Sequence, residues 1–275
     1  MNNLATRTVS GVGFVVVMLA CLLFNKYLFL ALVLFMMGAM MVEFYKMTIG
    51  DTYKFSQILA IAAGVILCVL IFLVADIGMR AKYLSLALLP VLVVMGVSLC
   101  VKDKSEFAKF SFIYTGLLYI AVPMSLASLV AFREGEFNPL IILYFFVIIW
   151  SSDIGAYAFG SLWGQKYGKK LCPRISPKKS WIGFWGGLVC AVLAGVVLHL
   201  VGVFEYPMLH CIILAALMHC AGVVGDLFES MWKRSCGVKD SGKLIPGHGG
   251  MLDRFDSAIF AIPVGAIYLS LFNLL

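Results

Sequence analysis

The chain has 275 residues, 63% of them hydrophobic and 13% charged, with a formal net charge of +7. Soluble domains carry roughly a quarter charged residues, and no soluble core could hide this much apolar surface, so a soluble globular protein is excluded. The positive charge is confined to short stretches between apolar runs instead of covering a surface, so no nucleic-acid partner is expected.

Crossing a hydrocarbon layer of ~30 Å takes about 20 apolar residues. Nine runs qualify in chain order, at 9–24, 27–47, 55–78, 83–101, 107–132, 138–164, 181–204, 208–235 and 255–275. Only Asn25 and Lys26 split the first two, which leaves eight as the alternative count. Met18-Leu19-Ala20-Cys21 has the outline of a lipoprotein cleavage site. However, Leu22-Leu23-Phe24 and a second apolar run follow where a polar tether belongs, so 9–24 is read as a retained helix. The expected fold is an all-α integral membrane protein, a polytopic bundle of about nine transmembrane helices. Of the 21 Lys and Arg residues, 17 fall on the side holding the N-terminus and loops 165–180 and 234–254, and 4 on the other. The positive-inside rule makes that richer side cytoplasmic and puts the C-terminus outside. The expected location is the cell (inner, cytoplasmic) membrane. The eight cysteines have no metal-ligand spacing and read as free thiols.

Residues 1–137 hold about five N-terminal spans and nothing that looks chemical. Glu43 and Asp76 lie near span ends, where a carboxylate reaches water, and are read as solvated. Pro123 and Pro263 are read as kinks. Residues 138–275 form the expected catalytic region. On the sixth span Ser152, Ala156, Gly160 and Gly164 recur every four residues, a stripe that lets a neighbouring helix approach closely. Asp153, beside that stripe, is a functional candidate because a carboxylate at this depth must face protein or water.

The eighth span breaks at Asp226, and Asp226, Glu229, Ser230 and Lys233 share one helix face. His219, seven residues before Asp226, reads as hydrogen-bonded packing. A glycine-rich loop follows, with Lys239, Asp240, Lys243, His248, Gly249 and Gly250, and then Asp253, Arg254 and Asp256 open the last span. Glycines permit positive φ, and such loops can offer several N–H groups to phosphate oxygens. Hard divalent ions take carboxylate oxygens and complete their shell with water and phosphate, while Lys and Arg neutralise phosphate charge. These residues alone indicate membrane-embedded, metal-assisted phosphoryl or nucleotidyl transfer, with the site near the cytoplasmic headgroup level.

Four segments, Ser230-Met231-Trp232-Lys233-Arg234, Lys239-Asp240-Ser241-Gly242, Pro246-Gly247-His248-Gly249-Gly250 and Leu252-Asp253-Arg254-Phe255-Asp256, span 27 residues. Their order and spacing resemble the signature of the phosphatidate cytidylyltransferase (CDP-diacylglycerol synthase) family. Ser152-Asp153-Ile154-Gly155-Ala156-Tyr157 and Ile175-Ser176-Pro177-Lys178-Lys179-Ser180-Trp181 also resemble it. Trp232 and Ile182 depart from the pattern, standing where an aliphatic and a polar residue are usual.

The resemblance implies that CTP and phosphatidic acid give CDP-diacylglycerol and pyrophosphate in the bilayer, with Mg²⁺ as cofactor. It leaves open a second, monovalent ion and a homodimer. The lipid phosphate is already anionic near neutral pH, since a monoester's second pKa is about 6, so no dedicated base is needed. Asp226 and Asp253 are the expected metal ligands, followed by Asp256 and Asp153. Lys233, Arg234, Lys239, Arg254, Lys178 and Lys179 are expected to grip phosphates beside Ser176 and Ser230. Asp240 alternatively folds the loop, and His248 either orders the loop or contacts phosphate. The alternative for the carboxylates is ion pairing, Asp226 with Lys233 or Asp256 with Arg254. Rival functions are a CTP-dependent lipid or polyprenol kinase and, from another class, a secondary transporter. The transporter would show matching interrupted spans in both halves, whereas here the polar features all lie in the second.

Overall fold

Backbone N–H and C=O groups inside hydrocarbon must bond within their own segment, so each long apolar run is expected to be helical. A computed structural model describes residues 3–101, 107–245, 247 and 249–275, with side chains from residue 11 onward. Among the described residues, eight helices are long and apolar enough to cross a membrane, and Gly11–Phe24 is a shorter apolar helix. Together they fall where the nine runs predict. The eight cysteines are all free.

The chain divides into two compact units, residues 1–137 with 240–254, and residues 138–239 with 255–275. In the first unit α1 (Asn3–Phe24), α2 (Lys26–Thr48) and α3 (Lys54–Ile77) are followed by a 3₁₀ stretch, Ala81–Ala87, that leads into α4 (Leu88–Ser98). Helix α5 (Phe110–Gly116) runs through a π turn, Leu117–Ala121, into α6 (Val122–Val130). Pro123 has no N–H to give the preceding turn, and the widened turn, with Val122 N–H bonded to Leu117 O, lies just before it. Here the expected kink takes the form of a π turn. Gly116 leaves room for the Tyr45 ring, whose hydroxyl donates to Ile113 O at 2.9 Å.

Strands β1 (Phe132–Arg133) and β2 (Glu136–Phe137) form a hairpin whose turn residues Glu134 and Gly135 have φ of 52° and 82°. Both being positive is what a type I′ two-residue hairpin turn requires. Asp76 is not solvated, as its position near a span end led us to expect. Its carboxylate accepts from Lys26 Nζ at 2.6 Å, and its side chain is 6% exposed. A carboxylate drawn from water needs such a partner.

In the second unit α7 (Pro139–Phe159) continues through a π turn, Gly160–Gly164, to the hairpin of β3 (Lys170–Cys172) and β4 (Ser176–Ser180). Ser180 caps α8 (Trp181–Leu200) by accepting from Gly183 N–H at 3.2 Å. Helix α9 (Met208–Ser235) follows, and most of α10 (Leu252–Leu271), with Pro263 inside it, completes the unit.

The small-residue stripe on α7 packs as its spacing predicts. A Cβ on Gly183 would sit 2.9 Å from Ala156 O, and one on Gly187 would sit 2.9 Å from Ser152 O. Helices α7 and α8 therefore touch backbone to backbone, which small residues permit and which suits packing in lipid. His219 is buried, and its Nδ1 lies 2.7 Å from Ser152 Oγ, so it has the packing role expected of it.

Candidate functional site: a carboxylate cluster and a glycine-rich loop

In the second unit the site is set by the contact of α9 with α10. Gly225 has no side chain where a Cβ would overlap Asp256 O, so the two backbones meet directly beside Asp226. The carboxylates of Asp226, Glu229 and Asp153 all lie close enough to Asp256 for their charges to repel. Three helices thus deliver four acidic groups to one neighbourhood. Asp153 is exposed on α7, whereas Glu229 is fully buried.

Two lysines offset this charge. Lys179, at the end of the β3–β4 hairpin, is ion-paired with Asp226 Oδ2. Ser230 Oγ, one turn along α9, donates to Asp226 Oδ1 at a long 3.4 Å. Lys233 is ion-paired with Glu229 at i,i+4, with side-chain exposures of 11% and 0%. The alternative pairing of Asp226 with Lys233 is therefore corrected: Asp226 takes its cation from the hairpin, because Glu229, one turn below Lys233, takes the lysine. Lys178 is exposed on β4, and Ser176 at its start pairs with Cys172. Arg234 is exposed, with Nη1 donating to Val238 O at 3.2 Å, and Lys239 is exposed nearby in sequence.

In the first unit the glycine-rich loop closes around two carboxylates. Asp253 Oδ2 accepts from Ser241 N–H at 2.9 Å, Ser241 Oγ at 2.9 Å and Gly250 N–H at 2.8 Å. The second carboxylate is Glu43 of α2. Its Oε1 accepts from Met251 N–H and its Oε2 from Leu252 N–H, both at 2.9 Å, while Ser241 Oγ lies 3.2 Å from Oε2. Glu43 is therefore a corrected reading: it is 9% exposed and bonded to the loop.

Gly249, with φ of 87°, bridges to Ile245, and Gly250 is buried. Asp240 and Arg254 are exposed, and Arg254 N–H bonds Met251 O. His248 lies outside the described residues. Sequence reasoning read Glu43 as a solvated span end and gave Ser241 and Gly242, quoted within the signature, no role of their own. An acid within the apolar run 27–47 was visible, but its partners are backbone N–H groups at a helix start, which no side-chain pattern marks.

Carboxylate oxygens are the donor type that a hard divalent cation takes. Like-charged carboxylates gathered in a half-buried place repel strongly unless a cation joins them. Among the described residues, no three His, Cys, Asp or Glu groups converge tightly enough to hold a metal by themselves. Mg²⁺ suits such an open arrangement, because it keeps water and substrate phosphate among its ligands.

Fold and site together define a polytopic helical membrane protein with a carboxylate–lysine cluster and a glycine-rich loop. The model of the cytidylyltransferase family matches residues 5–272, and the chain belongs to that family. It is 37% identical over 191 residues to the phosphatidate cytidylyltransferase of Bacillus subtilis, an alignment covering 69% of each chain. It is 45% identical over 123 residues to that of Staphylococcus saprophyticus, covering 45% of this chain and 46% of the relative. It is also 47% identical over 129 residues to that of Haemophilus influenzae, covering 45% and 43%.

Proposed function

We propose that the chain is a phosphatidate cytidylyltransferase: an integral membrane nucleotidyltransferase that joins CMP from CTP to phosphatidic acid, giving CDP-diacylglycerol and pyrophosphate for phospholipid synthesis. The reading is carried by the gathering of Asp256, Asp226, Glu229 and Asp153 beside two lysines in a membrane protein of the cytidylyltransferase family. A secondary transporter is disfavoured by the match of residues 5–272 to the cytidylyltransferase family.

Asp226, Asp256 and Asp153 would hold Mg²⁺, which when bound screens the triphosphate and the departing pyrophosphate. Asp253, engaged by three donors, orders the glycine-rich loop; a direct part for it as a ligand rests on the signature alone. The lipid phosphate oxygen attacks the α-phosphorus of CTP in line, and the bond to the β-phosphate bridging oxygen breaks. Two anions must meet in this step, so the protein's task is to neutralise and align them. Lys179, Lys233, Arg234, Lys239 and Arg254 supply positive charge, as does Lys178, next to Lys179 on the hairpin. We place the reaction at the cytoplasmic face, where the basic loops 165–180 and 234–254 can meet a soluble nucleotide.

The test uses purified protein with Mg²⁺, phosphatidic acid and CTP labelled in the base. Label in the lipid is expected. Phosphorylated lipid without base label would make the protein a kinase, and unreacted lipid would remove the enzymatic reading.

A further inference from the structure

We propose that Glu43 is the positioning residue of this enzyme, holding the glycine-rich loop in the shape that receives the CTP triphosphate; the proposal rests on the cytidylyltransferase reading. Its carboxylate bonds Met251 and Leu252, which are 208 and 209 residues away in the chain. Those N–H groups open the last helix and have no acceptor of their own in it. An anion there is also favoured by the helix dipole. Glu43 thus does from a distant helix what a capping side chain ordinarily does locally.

The loop is shaped to this carboxylate. A Cβ on Gly242 would overlap Glu43 Oε1, and one on Gly250 would overlap Oε2. Neither glycine is left-handed, so the demand at these positions is for space and not for an unusual φ. The Ser241 hydroxyl has one proton and two carboxylate acceptors, Glu43 and Asp253, and so links the clamp to the residue that begins the signature's last segment. Nothing in the reaction requires Glu43 to touch substrate. Its effect is to pay the ordering cost of the loop before nucleotide arrives, and preorganisation of that kind appears as affinity.

Glu43→Gln turns one of the two acceptors into a donor facing Leu252 N–H or Met251 N–H. In the full-length protein, KM for CTP should rise about tenfold or more, since each charge-assisted bond contributes on the order of one decade or two. KM for phosphatidic acid should stay within about twofold, a split that general loss of structure would not give. Hydrogen exchange of the peptide 241–252, measured without substrates, should quicken.

Gly242→Ala should raise KM for CTP in the wild type and add little in a Glu43→Ala background, because the smaller side chain makes room for the methyl. This pair also serves if Glu43→Gln fails to fold. Additive effects of Gly242→Ala and Glu43→Ala, or an unchanged KM for CTP, would overturn the proposal. The exchange measurement needs no turnover, so a wild-type protein lacking cytidylyl transfer would sink the function while leaving the clamp separately tested.

Discussion

Lys179 and Asp226 are ion-paired, joining the end of the β3–β4 hairpin to the acidic face of α9. The same lysine that is suited to grip a phosphate thus also neutralises the carboxylate suited to hold Mg²⁺. On the proposed reading Lys179 and Mg²⁺ would compete for Asp226, and this sets up opposite responses to two substitutions.

Asp226→Asn keeps the side chain's size but removes the charge a hard cation needs, so turnover should fall by about 100-fold or more and the Mg²⁺ concentration for half-maximal activity should rise. Lys179→Gln should lower that Mg²⁺ requirement while raising KM for the anionic substrates. Magnesium titrations of the two variants at matched protein check this. Parallel shifts in both would mean that Asp226 and Lys179 form only a structural pair.

Lys233 and Arg254 should separate stability from catalysis. In the Lys233–Glu229 pair the carboxylate is fully buried, and leaving a buried charge without its partner costs about 3–5 kcal/mol. Lys233→Gln should therefore lose thermal stability as well as turnover, and Lys233→Gln with Glu229→Gln should recover much of the stability without the activity. Arg254 is exposed, so Arg254→Gln should lose turnover alone, with raised Mg²⁺ restoring it only in part because a mobile ion does not replace a fixed donor. Lys102 and Lys104, outside the signature and outside the described residues, should tolerate the same change. Melting of the detergent-extracted variants, read beside turnover, separates these outcomes; equal activity losses in all four would reduce the effect to surface charge.

Gly225→Ala should impair the site without altering any ionisable group. The added methyl would overlap Asp256 O and push α10 from α9, separating Asp256 from Asp226. An overpacked helix contact costs about 1–3 kcal/mol, and displacement of a ligand by an ångström costs about 100-fold in rate. Turnover should fall much further than thermal stability does. A variant with full turnover would show that the close α9–α10 contact is not needed for the chemistry.

Orientation follows from the basic loops. A C-terminal alkaline phosphatase fusion should be active and a C-terminal fluorescent fusion dark, as expected for a C-terminus outside the cell membrane. The reverse result would require an even number of spans.

The helices follow from the order of residues alone, because a run of apolar residues in lipid has no other way to satisfy its backbone. The same order sets the α7 stripe, whose four-residue spacing is a property of one helix, and the acidic face of α9, where Asp226, Glu229 and Lys233 are local neighbours. Which cation meets which carboxylate was not legible. Lys179 lies 47 positions from Asp226, and only folding places the hairpin beside α9. Glu43 shows the limit most clearly: in sequence it is an acid near the end of an apolar run, indistinguishable from one that reaches water. Its partners are backbone N–H groups, which every residue but proline carries, so no side-chain pattern announces them. Folding, which brings Ser241, Met251 and Leu252 to Glu43 of α2, converts that carboxylate from a solvated end into the anchor of the loop.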